Sequence, residues 1–237
     1  MCLLDISGLS ASYGEGRVLE DIALSLDAGA VLGVVGPNGH GKTSLLRTIS
    51  GLMPKAQGKI SFEGRDILGQ SAESIARSGI VHVPQGDLIY KNMTIKENLQ
   101  MGGYSNHSTA ETAAQLDQVY ALFPKLKQRN TQIASSLSGG ERRMLGIGRG
   151  LMMKRARLLM LDEPSLGLAP IVIDQIYQAI EKLVADGLTI IVVEENIHRV
   201  SAVSKQMILL SHGNVVWTGA PADLEGDARL AATYLGI

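Results

Sequence analysis

An apolar run at 31–35 leads directly into Gly36-Pro37-Asn38-Gly39-His40-Gly41-Lys42-Thr43, and a helical run at 44–49, opened by Ser44, follows without a break. Strand, glycine-rich turn and helix in this order let backbone N–H groups turn inward around phosphates. The glycines permit the close approach, and the helix N-terminus presents the positive end of its dipole. Lys42 is then suited to reach β- and γ-phosphates, and the Thr43 hydroxyl to sit on Mg²⁺. His40 fills a variable position of the loop.

The remaining chain supplies the sheet such a loop needs. Apolar runs at 3–6, 18–26, 58–62 and 80–83 read as strands, giving a β-rich beginning. The runs at 158–161 and 188–193 are continuously apolar, as expected of a sheet covered on both faces. The fold class is therefore α/β. From about 94 to 153 strand signals stop, and a helical stretch at 110–123 ends near Pro124, so this part reads as an inserted helical lobe. After Pro170, the residues Ile173, Ile176, Tyr177, Ile180, Leu183 and Val184 repeat at helical spacing, with Gly187 at the expected end. These are core positions. A last strand is expected around Val215-Val216-Trp217, with no room after it for a regulatory domain.

At 237 residues and 45% hydrophobic, the chain can bury one large core or two closely joined lobes. A formal charge of -1 provides no basic field, so no nucleic-acid partner is expected. Cys2 is the single cysteine, which excludes an internal disulfide and suits a reducing, cytoplasmic setting. With only Met1 before it, Cys2 lacks the signal that lipid modification requires. No apolar run approaches the roughly 20 residues of a spanning helix, so a membrane role would be peripheral, through a partner.

Two further segments carry chemistry. Arg157-Leu158-Leu159-Met160-Leu161-Asp162-Glu163 is an apolar strand ending in two acids. Acids at such a position are costly unless a cation or hydrogen bonds compensate, which suggests Asp162 as a Mg²⁺ ligand. Glu163 projects differently and can orient and polarise a water. Leu137-Ser138-Gly139-Gly140-Glu141 is, by itself, an ordinary capping box that starts a helix. Between the phosphate loop upstream and the Asp-Glu strand downstream, it resembles the signature of the ABC ATPase family, and the resemblance covers essentially the whole chain.

That resemblance implies a P-loop NTPase of the ABC type: an ATPase core with an antiparallel β subdomain and an inserted helical lobe. Core and β subdomain would take 2–85 and 158–237, and the lobe 86–157, within a single domain at 2–237. It also implies that Ser138, Gly139 and Gly140 meet the γ-phosphate of ATP held by an opposing subunit, in a head-to-tail dimer. Tyr13 resembles the aromatic that stacks on adenine, and Gln85 the glutamine that senses Mg²⁺ and the attacking water. Implied partners are a second ATPase subunit, two integral membrane permeases and, indirectly, a periplasmic solute-binding protein, at the cytoplasmic face of the inner membrane. For Leu88, Ile89, Tyr90 and Met93 two readings stay open: core, or a groove for a short permease helix.

The family's variations narrow the expectation. In the loop Ser165-Leu166-Gly167-Leu168-Ala169-Pro170 after the Asp-Glu strand, Ala169 stands where many ABC proteins have an aspartate. This loop, Leu45-Leu46-Arg47-Thr48-Ile49-Ser50-Gly51-Leu52 and Val192-Val193-Glu194-Glu195-Asn196 all look like the branched-chain amino-acid uptake branch. Glu195 occupies the position of a histidine that contacts the γ-phosphate in most members, which points to a non-identical second ATPase. His198 is not assigned the missing role, and His40, His82, His107 and His212 are expected to be ordinary polar or surface residues. The rival functions are a lipopolysaccharide-type exporter, a non-transport ABC protein, and a P-loop kinase or GTPase.

Overall fold

The computed structural model describes residues 1–86, 88–106 and 108–226. Its chain begins with β1 (Cys2–Tyr13), β2 (Gly16–Asp27) and β3 (Val31–Val35), followed by α1 (Lys42–Ile49). Next come β4 (Lys55–Phe62), β5 (Arg65–Asp66), α2 (Ala72–Arg77) and β6 (Ile80–Val83). Four helices follow: α3 (Ile95–Gly102), α4 (Thr109–Leu122), α5 (Pro124–Gln128) and α6 (Gly139–Leu151). The chain then returns through β7 (Leu158–Asp162), α7 (Pro170–Ala185), β8 (Thr189–Glu194) and α8 (Ile197–Ser201) to β9 (Gln206–Ser211), β10 (Asn214–Gly219) and α9 (Pro221–Gly226).

The strands form two sheets. One is antiparallel, in the order β2-β1-β4-β5; the other runs β10-β9-β3-β8-β7-β6. In the second, β3, β6, β7, β8 and β9 are parallel, and β10 pairs antiparallel at the edge. β2 nearly coincides with the apolar run at 18–26, whereas β1 is far longer than the run at 3–6, because bulges at several points carry its pairing past Gly8 to the Tyr13 turn. A bulge breaks the period-2 pattern without ending the strand.

The parallel strands are predominantly apolar because both faces are covered. In β3, Val31 and Val35 enter one core while Leu32 and Val34 enter the other; in β8, Ile190 and Val192 oppose Ile191 and Val193. The first core is closed by α6, α7 and α8 through residues such as Leu145, Ile176 and Val200. The second is closed by Leu45 and Leu46 of α1 and by Leu4, Ile6 and Phe62 of the antiparallel sheet. Each such aliphatic side chain contributes about 1.5–3 kcal/mol on burial.

The segment between β6 and β7 is helical as expected. Among its described residues the β pairing is an isolated bridge, Thr94 to Ile133. Pro124 ends α4 and opens α5, where its missing N–H costs nothing. α7 buries Ile173, Ile176, Tyr177 and Ile180, and Gly187, at φ 89, follows its end. Among the described residues no helix is long and apolar enough to cross a membrane.

Parallel pairing decides where the chemistry gathers. Val35 pairs with Glu194, Asp162 with Val193, and Val83 with Leu161, so β3, β6, β7 and β8 all end along one edge of the sheet. The loops leaving those ends carry Gly36–Thr43, Gln85, Glu163 and Glu195. Ligands of open α/β sheets bind at such an edge.

Candidate functional site

The loop from Gly36 to Gly41 has the backbone its glycines allow. Gly36 has φ 147, and a Cβ there would collide with the Leu210 carbonyl. Gly41, at φ 106, precedes α1 without a side-chain cap, leaving the helix's first N–H groups directed at the loop. Lys42 is 4% exposed, and its ammonium donates to Gly36 O at 2.8 Å and Pro37 O at 3.1 Å. It also lies 3.9 Å from Glu163 Oε1. Burial pulls the Lys42 ammonium below its usual pKa, and the carboxylates of Glu163, Glu195, Asp162 and Glu194 oppose that shift.

Asp162, the last residue of β7, and Glu163, just after it, differ in setting. Asp162 is fully buried; Thr43 Oγ1 donates to its Oδ1 at 3.2 Å, while its buried Oδ2 has no hydrogen-bond partner among the described residues. Glu163 turns out of the strand with φ 46, an uncommon conformation for a residue with a Cβ, and its N–H donates to Val193 O at 2.9 Å. Gln85 Nε2 donates to Glu163 Oε2 at 2.8 Å. Burial raises both carboxyls: Thr43, Arg143 and Lys42 pull Asp162 back, whereas for Glu163 the Lys42 charge is countered by neighbouring acids.

Asn38, Gly39, Gly41, Lys42, Thr43, Ser44, Gln85, Glu163 and Leu166 line one cavity of about 350 Å³. Phosphate loop, acid and glutamine therefore meet, although Gln85 and Glu163 lie 78 positions apart. Tyr13, Ser138, Gly139 and Gly140 do not line it. Tyr13 is 41% exposed at the end of β1, and its hydroxyl accepts from Arg47 Nη1 at 3.0 Å. Ser138 caps α6 in a full capping box with Glu141, as its spacing predicts, and Gly140 leaves room for Val172 of α7.

Of Leu88, Ile89, Tyr90 and Met93, Ile89 is buried in the core, whereas Leu88 and Tyr90 are exposed and line a groove of about 290 Å³ with Val81, Val83, Met101 and Met153. Met93 is half-buried and lines neither this groove nor the phosphate-loop cavity. The Arg149 guanidinium lies 5.2 Å over the Tyr90 ring.

His212 is exposed and His40 half-buried, both ordinary polar residues as expected, whereas His82 sits deeper. His82 is half-buried in the wall of the groove beside Tyr90; its Nδ1 lies 3.0 Å from Ser50 Oγ, and burial, with Arg47 nearby, lowers its pKa to about 4. His40 and His212 pair their rings with centroids 4.1 Å apart, and Ser211 Oγ lies within hydrogen-bond distance of both Nδ1 atoms. Burial, helped by His212 and Lys42, lowers the His40 pKa. His107 lies outside the described residues.

Sequence reasoning missed Glu194. Its carboxylate accepts from Ser165 N at 3.0 Å and from the Tyr177 hydroxyl at 3.3 Å, while Arg199 Nη1 donates to Ser165 Oγ at 2.6 Å. The cluster ties the loop after Glu163 to the end of β8. The signal was available, because 188–195 is an apolar strand ending in two acids, the same pattern that singled out Asp162 and Glu163.

The comparisons with known proteins bear on the family and the fold. Residues 19–166 match the family model described as ABC transporter. The high-affinity branched-chain amino acid transport ATP-binding protein BraG of Pseudomonas aeruginosa is 38% identical, over 99% of this chain and 100% of that protein. The lipopolysaccharide export system ATP-binding protein LptB of Escherichia coli is 30% identical, over 100% of this chain and 98% of that protein. A nucleotide-free ATP-binding cassette from an ABC transporter superposes with a TM-score of 0.86 at 24% identity, covering 98% of both chains. The chain therefore belongs to the ABC transporter family, as one of its ATP-binding, ATP-hydrolysing subunits.

Proposed function

We propose that this chain powers a bacterial importer of branched-chain amino acids, or of similar small polar solutes, from the cytoplasmic face of the membrane. Full-length similarity to BraG carries the solute class. The similarity to LptB supports a second reading, the ATPase of a lipopolysaccharide-type exporter. ATP-dependent uptake of labelled leucine by the reconstituted transporter, together with a periplasmic solute-binding protein among its components, would separate import from export.

In the proposed reaction Lys42 exchanges the Gly36 and Pro37 carbonyls for β- and γ-phosphate oxygens, while the loop N–H groups hold the rest of the triphosphate. Tyr13 stacks on adenine. Glu163 takes a proton from water as its oxygen attacks the γ-phosphorus and the bond to the β-phosphate breaks, and Gln85 orients that water through its contact with Glu163. Burial raises the Glu163 carboxyl towards the range useful to a general base.

Mg²⁺ fits the residues present. Asp162 offers a buried oxygen that has no partner among the described residues, and the Thr43 hydroxyl lies beside its other oxygen. Mg²⁺ commonly uses only one or two carboxylates besides phosphates and water. Thr43 and Asp162, with Gln85, would hold it, and when bound it neutralises phosphate charge.

Ser138, Gly139 and Gly140 complete the site of the opposing subunit, a role that suits their separation from this chain's own cavity. The groove beside Tyr90 receives a short helix of a permease. The test of the catalytic role is Glu163→Gln, expected to bind MgATP yet turn over at least about 10²-fold slower. Near-normal hydrolysis by that variant in the assembled transporter would remove Glu163 from the reaction.

A further inference from the structure

Arg143 lies in α6, five residues after the Ser138 cap, and is only 6% exposed. Its neighbours Met144, Leu145 and Ile147 already supply α6 with an apolar packing face. A buried guanidinium beside them needs a separate reason, because its desolvation is costly unless its donors are satisfied. Nη1 donates to Pro84 O at 2.8 Å, and Nη2 donates to Asp162 O. Pro84 immediately precedes Gln85, and Asp162 immediately precedes Glu163. These next residues are themselves joined, Gln85 Nε2 to Glu163 Oε2, at 2.8 Å. One rigid fork thus bridges the two backbone segments that carry the pair, and it reaches them from the helix capped by Ser138.

We propose that Arg143 is a positioning residue for ATP hydrolysis, setting the spacing of Gln85 and Glu163 from α6. Because α6 is a single rigid element, a shift of its Ser138 end when the opposing subunit engages is delivered by Arg143 to both carbonyls together. Lysine could not do the same, since an ammonium is a point donor without the planar fork. A displacement of about 1 Å in a reacting geometry can cost 10²-fold in rate. The inference rests on the reading of Glu163 and Gln85 as the pair that handles the attacking water.

The test measures kcat and KM in the assembled transporter, and the affinity of the purified chain for a fluorescent ATP analogue, in Arg143→Met and Arg143→Lys. Arg143→Met should lower kcat by about 10- to 100-fold while analogue affinity stays within about threefold, and Arg143→Lys should recover part of the loss. Added to Glu163→Gln, Arg143→Met should slow turnover by less than about twofold more, because the two residues act on one step. A purely structural role would instead multiply the losses. The proposal is overturned if Arg143→Met turns over within about twofold of the unmodified chain, or if affinity and melting temperature fall in step with kcat. Should Arg143→Met not fold, Arg143→Lys decides: a kcat reduced about fivefold or more at retained affinity supports the proposal, and a smaller change overturns it. Glu163→Gln alone, run in parallel, reports separately on the catalytic pair.

Discussion

Gln85 donates through Nε2 to Glu163 Oε2 at 2.8 Å, so the connection leaving β6 is bonded to the acid that follows β7. The bond constrains a carboxylate whose backbone already sits at φ 46. Removing the amide frees Glu163 to turn toward Lys42, 3.9 Å away, rather than toward a water. Gln85→Ala should therefore lower kcat by about 10- to 100-fold with little change in ATP affinity, the signature of an interaction needed in the transition state. Steady-state hydrolysis in the assembled transporter measures it, and an unchanged kcat would leave Gln85 with no part in the reaction.

Lys42 and Ser138 should separate binding from completion. Lys42 bonds to its own loop and lines the cavity, whereas Ser138 lies outside it at the start of α6. Lys42→Ala should weaken equilibrium ATP binding to the purified chain by at least about tenfold, since a charged donor to phosphate is worth roughly 1.5–3 kcal/mol. Ser138→Arg should bind ATP normally and fail to hydrolyse it. Loss of binding in monomeric Ser138→Arg would contradict a role in the opposing subunit's site.

Much of this arrangement was legible in the residues because the contacts concerned are local. The phosphate loop lies between its own strand and helix, and the Ser138-Glu141 box is complete within four residues. Arg143 was not legible in the same way, and for Glu194 only its place at the end of an apolar strand was. The partners of Arg143 are backbone carbonyls brought from β6 and β7 by tertiary packing, and a carbonyl leaves no mark on sequence. Tyr177 fell on the apolar stripe of α7 and does pack there, but its hydroxyl continues to Glu194, which helical spacing cannot reveal. The full length of β1 was hidden by bulges that break alternation.

His82 makes stability depend on pH. Ser50 Oγ donates its proton to Leu46 O, so it accepts from His82 Nδ1, leaving a neutral ring whose buried Nε2 has no hydrogen-bond partner among the described residues. Burial and then Arg47 lower the folded pKa to about 4 from 6.5. Between these values the unfolded chain binds more protons, so stability is fully present above pH 6.5 and is lost as pH falls toward 4. The loss attributable to this side chain is on the order of 3 kcal/mol. His82→Asn keeps a donor near the Nδ1 position and removes the titration. Its melting temperature should fall less between pH 7 and 5 than that of the unmodified chain, whatever its absolute stability; equal slopes would show that His82 does not titrate in a buried site.

Glu195 is exposed at the end of β8, and its charge acts on both Lys42 and Glu163. If Glu195 takes the place of the histidine that contacts the γ-phosphate in most ABC proteins, two identical subunits would put this carboxylate beside both γ-phosphates, where an anion is repelled unless it turns away or is paired. A second, non-identical ATPase with histidine at that position would leave one site complete. Preorganised donors at a transferring phosphoryl group are worth on the order of 3 kcal/mol of barrier, about 10²-fold in rate. The purified chain alone should therefore hydrolyse ATP slowly, and addition of its cognate second ATPase should raise turnover well beyond the sum of the two. Glu195→His should partly rescue the single-subunit reaction, because it replaces a repelled carboxylate with a donor. If the purified chain already matches the full transporter, or if Glu195→His slows it further, Glu195 is a working part of its own site and the pairing need not be asymmetric.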